Sequence, residues 1–210
     1  MAVAAGTAAA QTSPFKLTDT TDDYLHGVFG QDFEWSQLSG PNGEVLYQPD
    51  GKVLEDRWVQ EFDLDRDGKP EVLLIEANAA VGANPVLVEL AQDEAGNWAA
   101  ESASRGPSIG IGFRWMNPLE GSVDVDGDGV DEIAIMTTPH IGGPVVIYRW
   151  TDGELVPIQR LDVPRHLSNH RYGDPVQQGS QFGRDEQGRL FAQLRLRNDW
   201  RETERIYFGL

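Results

Sequence analysis

An acidic nine-residue pattern, present twice, is the strongest constraint on how this chain can fold. The segments DLDRDGKPE (63–71) and DVDGDGVDE (124–132) both have the form D-x-D-x-D-G-x-x-E, and their first Asp residues are 61 positions apart. Because a pattern that recurs at a fixed spacing is the signature of repeated structural units, we expect one repeat-built domain over 15–210. The expected units are 15–56, 57–117, 118–178 and 179–210.

The repeat weakens toward both ends of the chain. A further shift of 61 residues reaches Asp185, where the apolar spacing is kept but Gln187 and Arg189 replace the carboxylates. The first unit is shorter and has no Asp-rich loop. Metal binding is therefore expected in the two central units.

The segments within each unit have the composition of β-strands. VLLIEA (72–77), PVVIYRW (144–150) and RLFAQLRLR (189–197) are short, rich in apolar residues, and bounded by charged or turn-forming residues. No segment keeps the apolar spacing of an amphipathic helix over three turns. The predicted fold is all-β, a β-propeller-like array of about three to four four-stranded antiparallel blades. Such a small or partial propeller could close by pairing its terminal strands, complete itself as a homo-oligomer, or form an open curved array. Terminal closure is favoured because the first and last units are both short.

The Asp-rich pattern predicts binding of a hard cation. Ca²⁺ takes about six to eight oxygen ligands, and a loop with alternating carboxylates can direct them toward one point. Gly at the sixth position permits the sharp turn, and a carbonyl at the seventh position can complete the shell. Two Ca²⁺ sites are expected. The predicted ligands are the side chains of Asp63, Asp65, Asp67 and Glu71 with the carbonyl of Lys69, and the side chains of Asp124, Asp126, Asp128 and Glu132 with the carbonyl of Val130.

The pattern differs from an EF-hand and resembles another known loop. An EF-hand needs a bidentate Glu at position 12, where this chain has Leu74 and Ile135 within aliphatic runs. The segment DVDGDGVDEIAI (124–135) resembles the Asp-rich core of FG-GAP/VCBS-type repeats, which build the integrin α-subunit propeller and many bacterial extracellular proteins. The resemblance implies a propeller blade with a Ca²⁺ loop between its first and second strands. The first copy departs from it at Arg66, where Gly is preferred.

Charge and composition restrict the partners and the location. The 34 acidic and 17 basic residues give a formal net charge of -17, which disfavours nucleic acid and anionic lipid. The chain has no Cys, and no apolar stretch is long enough to span a membrane. Residues 1–14 are expected to be a flexible leader or the remnant of an export signal, since they end in small residues like a cleavage region. Together with the resemblance, this favours an extracytoplasmic protein, either periplasmic or secreted.

Other motifs give weaker predictions. The GPSIG segment around Ser108 lacks the strand-to-helix context of a nucleophile elbow. His166 and His170 have the i, i+4 spacing of a zinc pair, but no helix is predicted there. Most Trp residues are expected in the core, while Trp115 and Trp200 lie beside loops and are candidates for stacking against a ligand such as a sugar ring.

Two functions are compatible with these features. The favoured one is a non-enzymatic module with structural Ca²⁺ that binds a protein or a glycan. The alternative is an accessory or catalytic carbohydrate-active protein on the same scaffold. An open cleft with two unpaired carboxylates, or with a His, away from the Asp-rich loops would favour the alternative.

Overall fold

A computed structural model describes residues 13–174 and 180–209, so residues 1–12 of the expected leader lie outside it. The described chain forms strands and one short 3₁₀ helix, and the all-β prediction is confirmed. The strands make two eight-stranded sheets that are curled and mostly antiparallel. Among the described residues, no helix has the length and hydrophobicity needed to cross a bilayer.

The first sheet contains β1 to β8, with the spatial order β1-β2-β4-β6-β7-β8; β3 pairs with β2, and β5 pairs with β6. Its strands are β1 (Lys16–Thr21), β2 (Glu34–Ser39), β3 (Val45–Tyr47), β4 (Val53–Leu54), β5 (Gln60–Phe62), β6 (Glu71–Asn78), β7 (Gly82–Gln92) and β8 (Trp98–Arg105).

The second sheet contains β9 to β16, with the order β12-β11-β10-β9-β14-β15-β13, and β16 pairs with β15. Its strands are β9 (Met116–Val123), β10 (Glu132–Thr137), β11 (Val145–Thr151), β12 (Glu154–Leu161), β13 (Leu167–Ser168), β14 (Gln181–Arg184), β15 (Leu190–Leu196) and β16 (Thr203–Phe208). The 3₁₀ helix (Pro139–Ile141) lies between β10 and β11. The pairing of β14 with β9 is parallel.

The two Asp-rich segments occupy the same place in two similar meanders. Strands β5 to β8 pair in sequence, and so do β9 to β12. Phe62 pairs with Glu71 across the first loop, and Val123 pairs with Glu132 across the second. The sheets continue past these meanders, because β4 also pairs with β6 and β14 pairs with β9. The pairing therefore forms two continuous sheets, and separate blades are not shown.

The core joins the two sheets through their central strands. Leu73 and Ile75 of β6 share a buried cluster with Ile133 and Ile135 of β10. The alternate residues of each strand face a second cluster within their own sheet. Because β6 and β10 are buried on both faces, their ends are held firmly. Each strand then has an Asp-rich loop before it and a different loop after it.

Candidate functional sites: two Asp-rich loops and a histidine cluster

A buried glutamate closes each Asp-rich loop. Glu71 begins β6 and its carboxylate accepts a hydrogen bond from the Leu64 amide at 2.7 Å. Glu132 begins β10 and accepts one from the Val125 amide at 2.9 Å. Both glutamates are buried. The ninth position of the pattern therefore ties the loop to its strand in both copies.

In the first loop, three carboxylates converge. Asp63, Asp65 and Asp67 each place an oxygen within 4.8 Å of the other two, and all three side chains are exposed. They accept hydrogen bonds from loop amides, including that of Lys69, which donates to Asp67 at 2.7 Å. The Lys69 ammonium bonds Glu101 at 2.8 Å and lies 4.0 Å from the Asp67 carboxylate. An all-oxygen donor set of this kind fits a hard cation.

In the second loop, the converging carboxylates are a different set. Asp124, Asp126 and Glu132 place their oxygens within 4.8 Å of one another. Asp128 is outside that group; it accepts a hydrogen bond from the Val130 amide at 2.9 Å. The Val130 side chain packs against the shared core.

Arg149 on β11 contacts the second loop directly. Its Nε donates to Glu132 at 2.7 Å, and a terminal nitrogen donates to Asp126 at 2.5 Å. A guanidinium is a permanent cation that bonds carboxylates with two donors. The second loop therefore already has a positive group bound to two of its three converging carboxylates.

The pKa directions agree with this difference. Burial raises the pKa of Glu71 to about 7, and the charges of Asp65 and Asp63 add to the effect, although the Leu64 amide opposes it. Burial also raises the pKa of Glu132, but there Arg149 opposes the shift. The first loop is thus the more strongly self-repelling of the two.

The Asp-rich loops lie side by side. The Asp131 amide donates to the Leu64 carbonyl at 2.8 Å, and the Arg66 guanidinium donates to the Asp131 carboxylate at 2.7 Å. On the other side, Arg184 donates to the carbonyls of Asp124 and Val125 at 3.0 and 3.1 Å. These contacts link the loops of successive units directly.

The loop at Asp185, between β14 and β15, has its own cation. Arg189 bonds the Asp185 carboxylate with its Nε at 2.8 Å. An arginine therefore replaces one of the carboxylates and pairs with the one that is retained.

A second group of polar residues lies at the opposite end of β10, and it was not predicted as a group from the sequence. His140 and His170 contact the buried ring of Trp115, and His26 contacts His140. His140 stacks on Trp115 with ring centroids 5.2 Å apart, and His170 meets Trp115 edge-on at 4.8 Å. The His140 centroid lies 5.5 Å from that of His170 and 6.5 Å from that of His26. We call these three residues the histidine cluster.

Buried carboxyl groups adjoin the histidine cluster. His26 Nδ1 and Glu55 Oε1 are 2.7 Å apart, and Glu55 is 2% exposed. Burial, with the charge of Glu34, raises the pKa of Glu55 well above its usual value. Burial lowers the pKa of each imidazole in the cluster, and that of His140 falls to about 4. The three histidines are therefore neutral near pH 7.

Several polar atoms of this region have no hydrogen-bond partner among the described residues. They are Glu55 Oε2, both ring nitrogens of His140, and His170 Nδ1. A buried polar atom without a partner costs about 1–3 kcal/mol. Several such atoms lie close together here, and this grouping requires a physical explanation.

The remaining predicted residues lie as follows. Trp115 is 2% exposed and its indole N–H donates to the Glu55 carbonyl at 2.9 Å. The expectation that Trp115 stacks on a ligand at the surface is therefore wrong; Trp115 is part of the core. Trp200 is half-buried in the turn after β15. Ser108 lies in the loop between β8 and β9, donates to the Val81 carbonyl, and is followed by no helix. His166 is exposed beside Glu204, apart from the cluster that holds His170.

The histidine cluster could not be found by spacing. His26, His140 and His170 lie far apart in the sequence, and each is in an irregular segment or the 3₁₀ helix. The sheet pairing alone brings them together. The only local signal was the i, i+4 spacing of His166 and His170, and of these two only His170 belongs to the cluster.

A small recess beside the cluster bears on the carbohydrate-active alternative. It is lined in part by Glu34, Glu55 and Asp56, and its cavity volume is about 10 Å³. That is room for about one water molecule, and too little for a sugar ring. Each carboxyl group also has a partner for at least one oxygen. Glu34 accepts from the His26 amide at 2.9 Å, Asp56 accepts from the Ile75 amide at 2.7 Å, and Glu55 pairs with the His26 ring through Oε1. This recess is not the open cleft with unpaired carboxylates that catalysis on a glycan would require.

Comparison of the chain with protein-family models, with curated proteins and with solved structures finds no match. The likeness to FG-GAP/VCBS repeats thus remains an interpretation of the Asp-rich segments. Function has to be argued from the geometry.

Proposed function

We propose that this protein is a calcium-binding repeat module of the FG-GAP/VCBS-like kind, in which Ca²⁺ has a structural role. The observation that carries the proposal is the equivalence of the two Asp-rich loops, which join the first and second strands of two meanders in the same register. Bound Ca²⁺ would neutralise the carboxylates that each loop brings together. The proposed ligands are those of the sequence pattern: Asp63, Asp65, Asp67, Glu71 and the Lys69 carbonyl, and Asp124, Asp126, Asp128, Glu132 and the Val130 carbonyl.

The packing also supports a propeller-like arrangement. In stacked blades the central strands are buried on both faces, as β6 and β10 are. The direct contacts between neighbouring Asp-rich loops fit units that follow one another around an axis. The two meanders would then be two blades of a small or partial propeller.

A non-enzymatic binding role is supported by an exposed apolar rim. Leu25, Ile111, Phe113, Ile141 and Tyr172 are each more than half exposed. They surround the histidine cluster: Phe113 contacts the His26 ring, and Tyr172 contacts the His140 ring. Three of the five side chains are aliphatic, which favours a protein surface over a glycan as the partner.

An extracytoplasmic location is part of the proposal. The three exposed carboxylates of the first loop suit the weak Ca²⁺ affinities of extracellular modules, about 10⁻⁴ to 10⁻³ M. Calcium at those concentrations is found outside the cytoplasm. The strongly acidic surface also favours cations over anionic partners.

The calcium proposal is tested by thermal unfolding. Protein treated with EDTA should melt at a lower temperature, and Ca²⁺ should restore the melting temperature better than Mg²⁺, which demands a tighter octahedral shell. A ligand present at 100 times its Kd adds about 2.7 kcal/mol, equivalent to roughly 5–10 °C for a domain of this size. An unchanged melting temperature at saturating Ca²⁺ would contradict the proposal.

The binding role is tested with candidate partners and a glycan array. Phe113→Ser with Tyr172→Ser should abolish binding of a protein ligand. Because Phe113 stacks on Tyr24 and the Tyr172 hydroxyl donates to the His26 carbonyl at 2.9 Å, binding is measured well below the melting temperature of this variant. Tyr207→Ser is the matched control, since Tyr207 is an exposed aromatic residue on β16. Binding to glycans that survives the rim changes would contradict the assignment of the rim as the site. Turnover of a bound glycan would favour the carbohydrate-active alternative.

A further inference from the structure

We propose that His26, His140 and His170 form a binding site for a zinc-type divalent ion, separate from the Asp-rich loops. The site lies at the other end of β10 and uses nitrogen ligands, where the loops use oxygen. It does not depend on calcium binding. Its function would be to fix the loops that carry the apolar rim.

The three rings are grouped, but they lie farther apart than in a bound site. Zn²⁺ binds imidazole nitrogen at about 2.0–2.1 Å in tetrahedral geometry, which places the centroids of two ligand rings roughly 5 Å apart. The measured separations are 5.5 Å between His140 and His170, and 6.5 Å between His140 and His26. In the described part of the chain, one nitrogen from each ring does not lie within 4.8 Å of the other two. A bound ion would therefore draw the His26 and His140 rings together by about 1.5 Å, and the His140 and His170 rings by less.

The irregular segments of the cluster can accommodate such a movement. His26 lies between Leu25 and Gly27, which both have positive φ. His140 lies in the 3₁₀ helix, followed by Gly142 at φ 75°. Neither histidine is held in a strand, so a shift of the ring breaks no sheet hydrogen bond.

The hydrogen bonds of the cluster match those of metal-ligating histidines. Such residues donate one ring N–H to a carboxylate or a backbone carbonyl, which leaves the other nitrogen for the metal. His26 Nδ1 is 2.7 Å from Glu55 Oε1, and His170 Nε2 is 2.9 Å from the Asp174 carbonyl oxygen. The nitrogens left for a metal are His26 Nε2 and His170 Nδ1. Glu55 is a positioning residue for His26.

The atoms without hydrogen bonds support the same assignment. Among the described residues, His170 Nδ1 and both nitrogens of His140 are buried and have no partner. His170 is 3% exposed, so bulk water does not solvate its ring. A cation would satisfy a nitrogen of each ring at once. The neutral state that burial imposes on these rings is also the state that binds metal.

The type of ion follows from the donors. Imidazole suits zinc and other transition metals, whereas Ca²⁺ prefers oxygen. The protein supplies three ligands to the ion, and a fourth position remains for water or a group from a partner. The Asp-rich loops and the histidine cluster would therefore select different metals.

The test is Zn²⁺ titration of the whole protein, monitored by calorimetry and by metal content after dialysis. The wild type should bind one Zn²⁺ that Ca²⁺ does not displace. His140→Ala and His170→Ala should each weaken binding by at least about 100-fold. His166→Ala is the matched control and should change the affinity less than about threefold, because His166 is exposed and outside the cluster.

A parallel set of variants separates this site from the loops. Asp65→Ala and Asp126→Ala should leave Zn²⁺ binding intact. Loss of Zn²⁺ binding in the Asp variants, or full binding by His140→Ala, would overturn the proposal. Absence of any saturable Zn²⁺ binding would overturn it as well.

Nuclear magnetic resonance on the wild type keeps the test valid if a histidine variant does not fold. The imidazole nitrogen resonances of His26, His140 and His170 should shift on addition of one equivalent of Zn²⁺, and those of His166 should not. A shift confined to His166 would contradict the proposal.

Discussion

The two Asp-rich loops have the same pattern and the same register, but they differ in how their charge is balanced. In the second loop, Arg149 reaches across from β11 to bond Glu132 and Asp126. In the first loop, the residue on β7 that pairs with Glu71 is Glu89, another acid. The register of β10 with β11 places Arg149 at the corresponding place beside Glu132. One unit thus has a carboxylate where the other has a guanidinium.

This difference separates two ways of holding an acidic loop together. A loop with an internal cation can stay folded without metal, because the arginine neutralises part of its charge. The first loop has only the exposed Lys69 ammonium, 4.0 Å from Asp67, beside three exposed carboxylates close together and a buried glutamate whose pKa is raised to about 7. We therefore expect the first loop to depend on Ca²⁺ more than the second.

The largest expected effect comes from removing the arginine. Arg149→Ala leaves the carboxylate of Glu132 fully buried and without its ion pair. Loss of one partner of a buried pair costs about 3 kcal/mol or more. Denaturant unfolding in the presence of chelator should show a loss of this size.

Arg160→Ala is the matched control for Arg149→Ala. Arg160 pairs with Asp162 on the surface, and both side chains are well exposed. Exposed pairs contribute about 0–1 kcal/mol. Equal losses in the two variants would contradict a special role for Arg149.

The second expected effect is an unequal loss of calcium-dependent stability. Each occupied loop contributes about 2.7 kcal/mol at 100 times its Kd. Asp65→Ala should remove the calcium-dependent stabilisation that the first loop contributes. Asp126→Ala should remove a smaller amount, because Arg149 competes with the ion in the second loop. The measurement is the difference in unfolding free energy between chelator and saturating Ca²⁺.

Two further variants sharpen this experiment. Asp162→Ala removes an exposed acid far from either pattern in the sequence and should leave the calcium response unchanged. Glu89→Arg would give the first loop the cation that the second has, and should reduce its calcium dependence. If Asp65→Ala and Asp126→Ala lose equal amounts of calcium-dependent stability, Arg149 has no influence on Ca²⁺ binding by the second loop.

The sequence was enough to predict what depends on local pattern. The Asp-rich loops follow from alternating acids and glycine, and their placement between strands follows from the aliphatic runs behind them. Arg149 could not be predicted as a loop contact, because its role depends on the register between β10 and β11. The burial of Trp115 and the meeting of His26 with His140 likewise depend on how distant segments pack. Periodicity in the sequence carries no information on those contacts.

The third expected effect is a pH dependence confined to the first loop. The pKa of Glu71 is about 7 in the folded protein and about 4.3 when unfolded. The folded state therefore binds the proton more tightly, and metal-free stability should fall as pH rises from about 4.3 to 7. We expect a decrease of about 2 kcal/mol between about pH 5 and 6.5, measured by denaturant unfolding in chelator.

Glu71→Gln should flatten that decrease, whereas Glu132→Gln should alter it less because Arg149 opposes the shift of Glu132. Saturating Ca²⁺ should reverse the slope, since the ion favours the ionised carboxylates. A slope that stays the same in Glu71→Gln would assign the pH dependence to another group.

The smallest expected effect concerns the fourth position of the pattern, where Arg66 and Gly127 correspond. Both have positive φ, 61° for Arg66 and 87° for Gly127.

A residue with a Cβ atom is destabilised by about 1–2 kcal/mol in this conformation, and glycine is not. Arg66→Gly and Arg66→Ala both lose the ion pair with Asp131, so the difference between them isolates the backbone. Arg66→Gly should be the more stable by about 1 kcal/mol. Gly127→Ala should lose a similar amount without any clash, because a Cβ there would meet nothing within 4 Å. If the paired variants have equal stability, the positive φ of Arg66 costs nothing, and its contact with Asp131 alone explains the arginine.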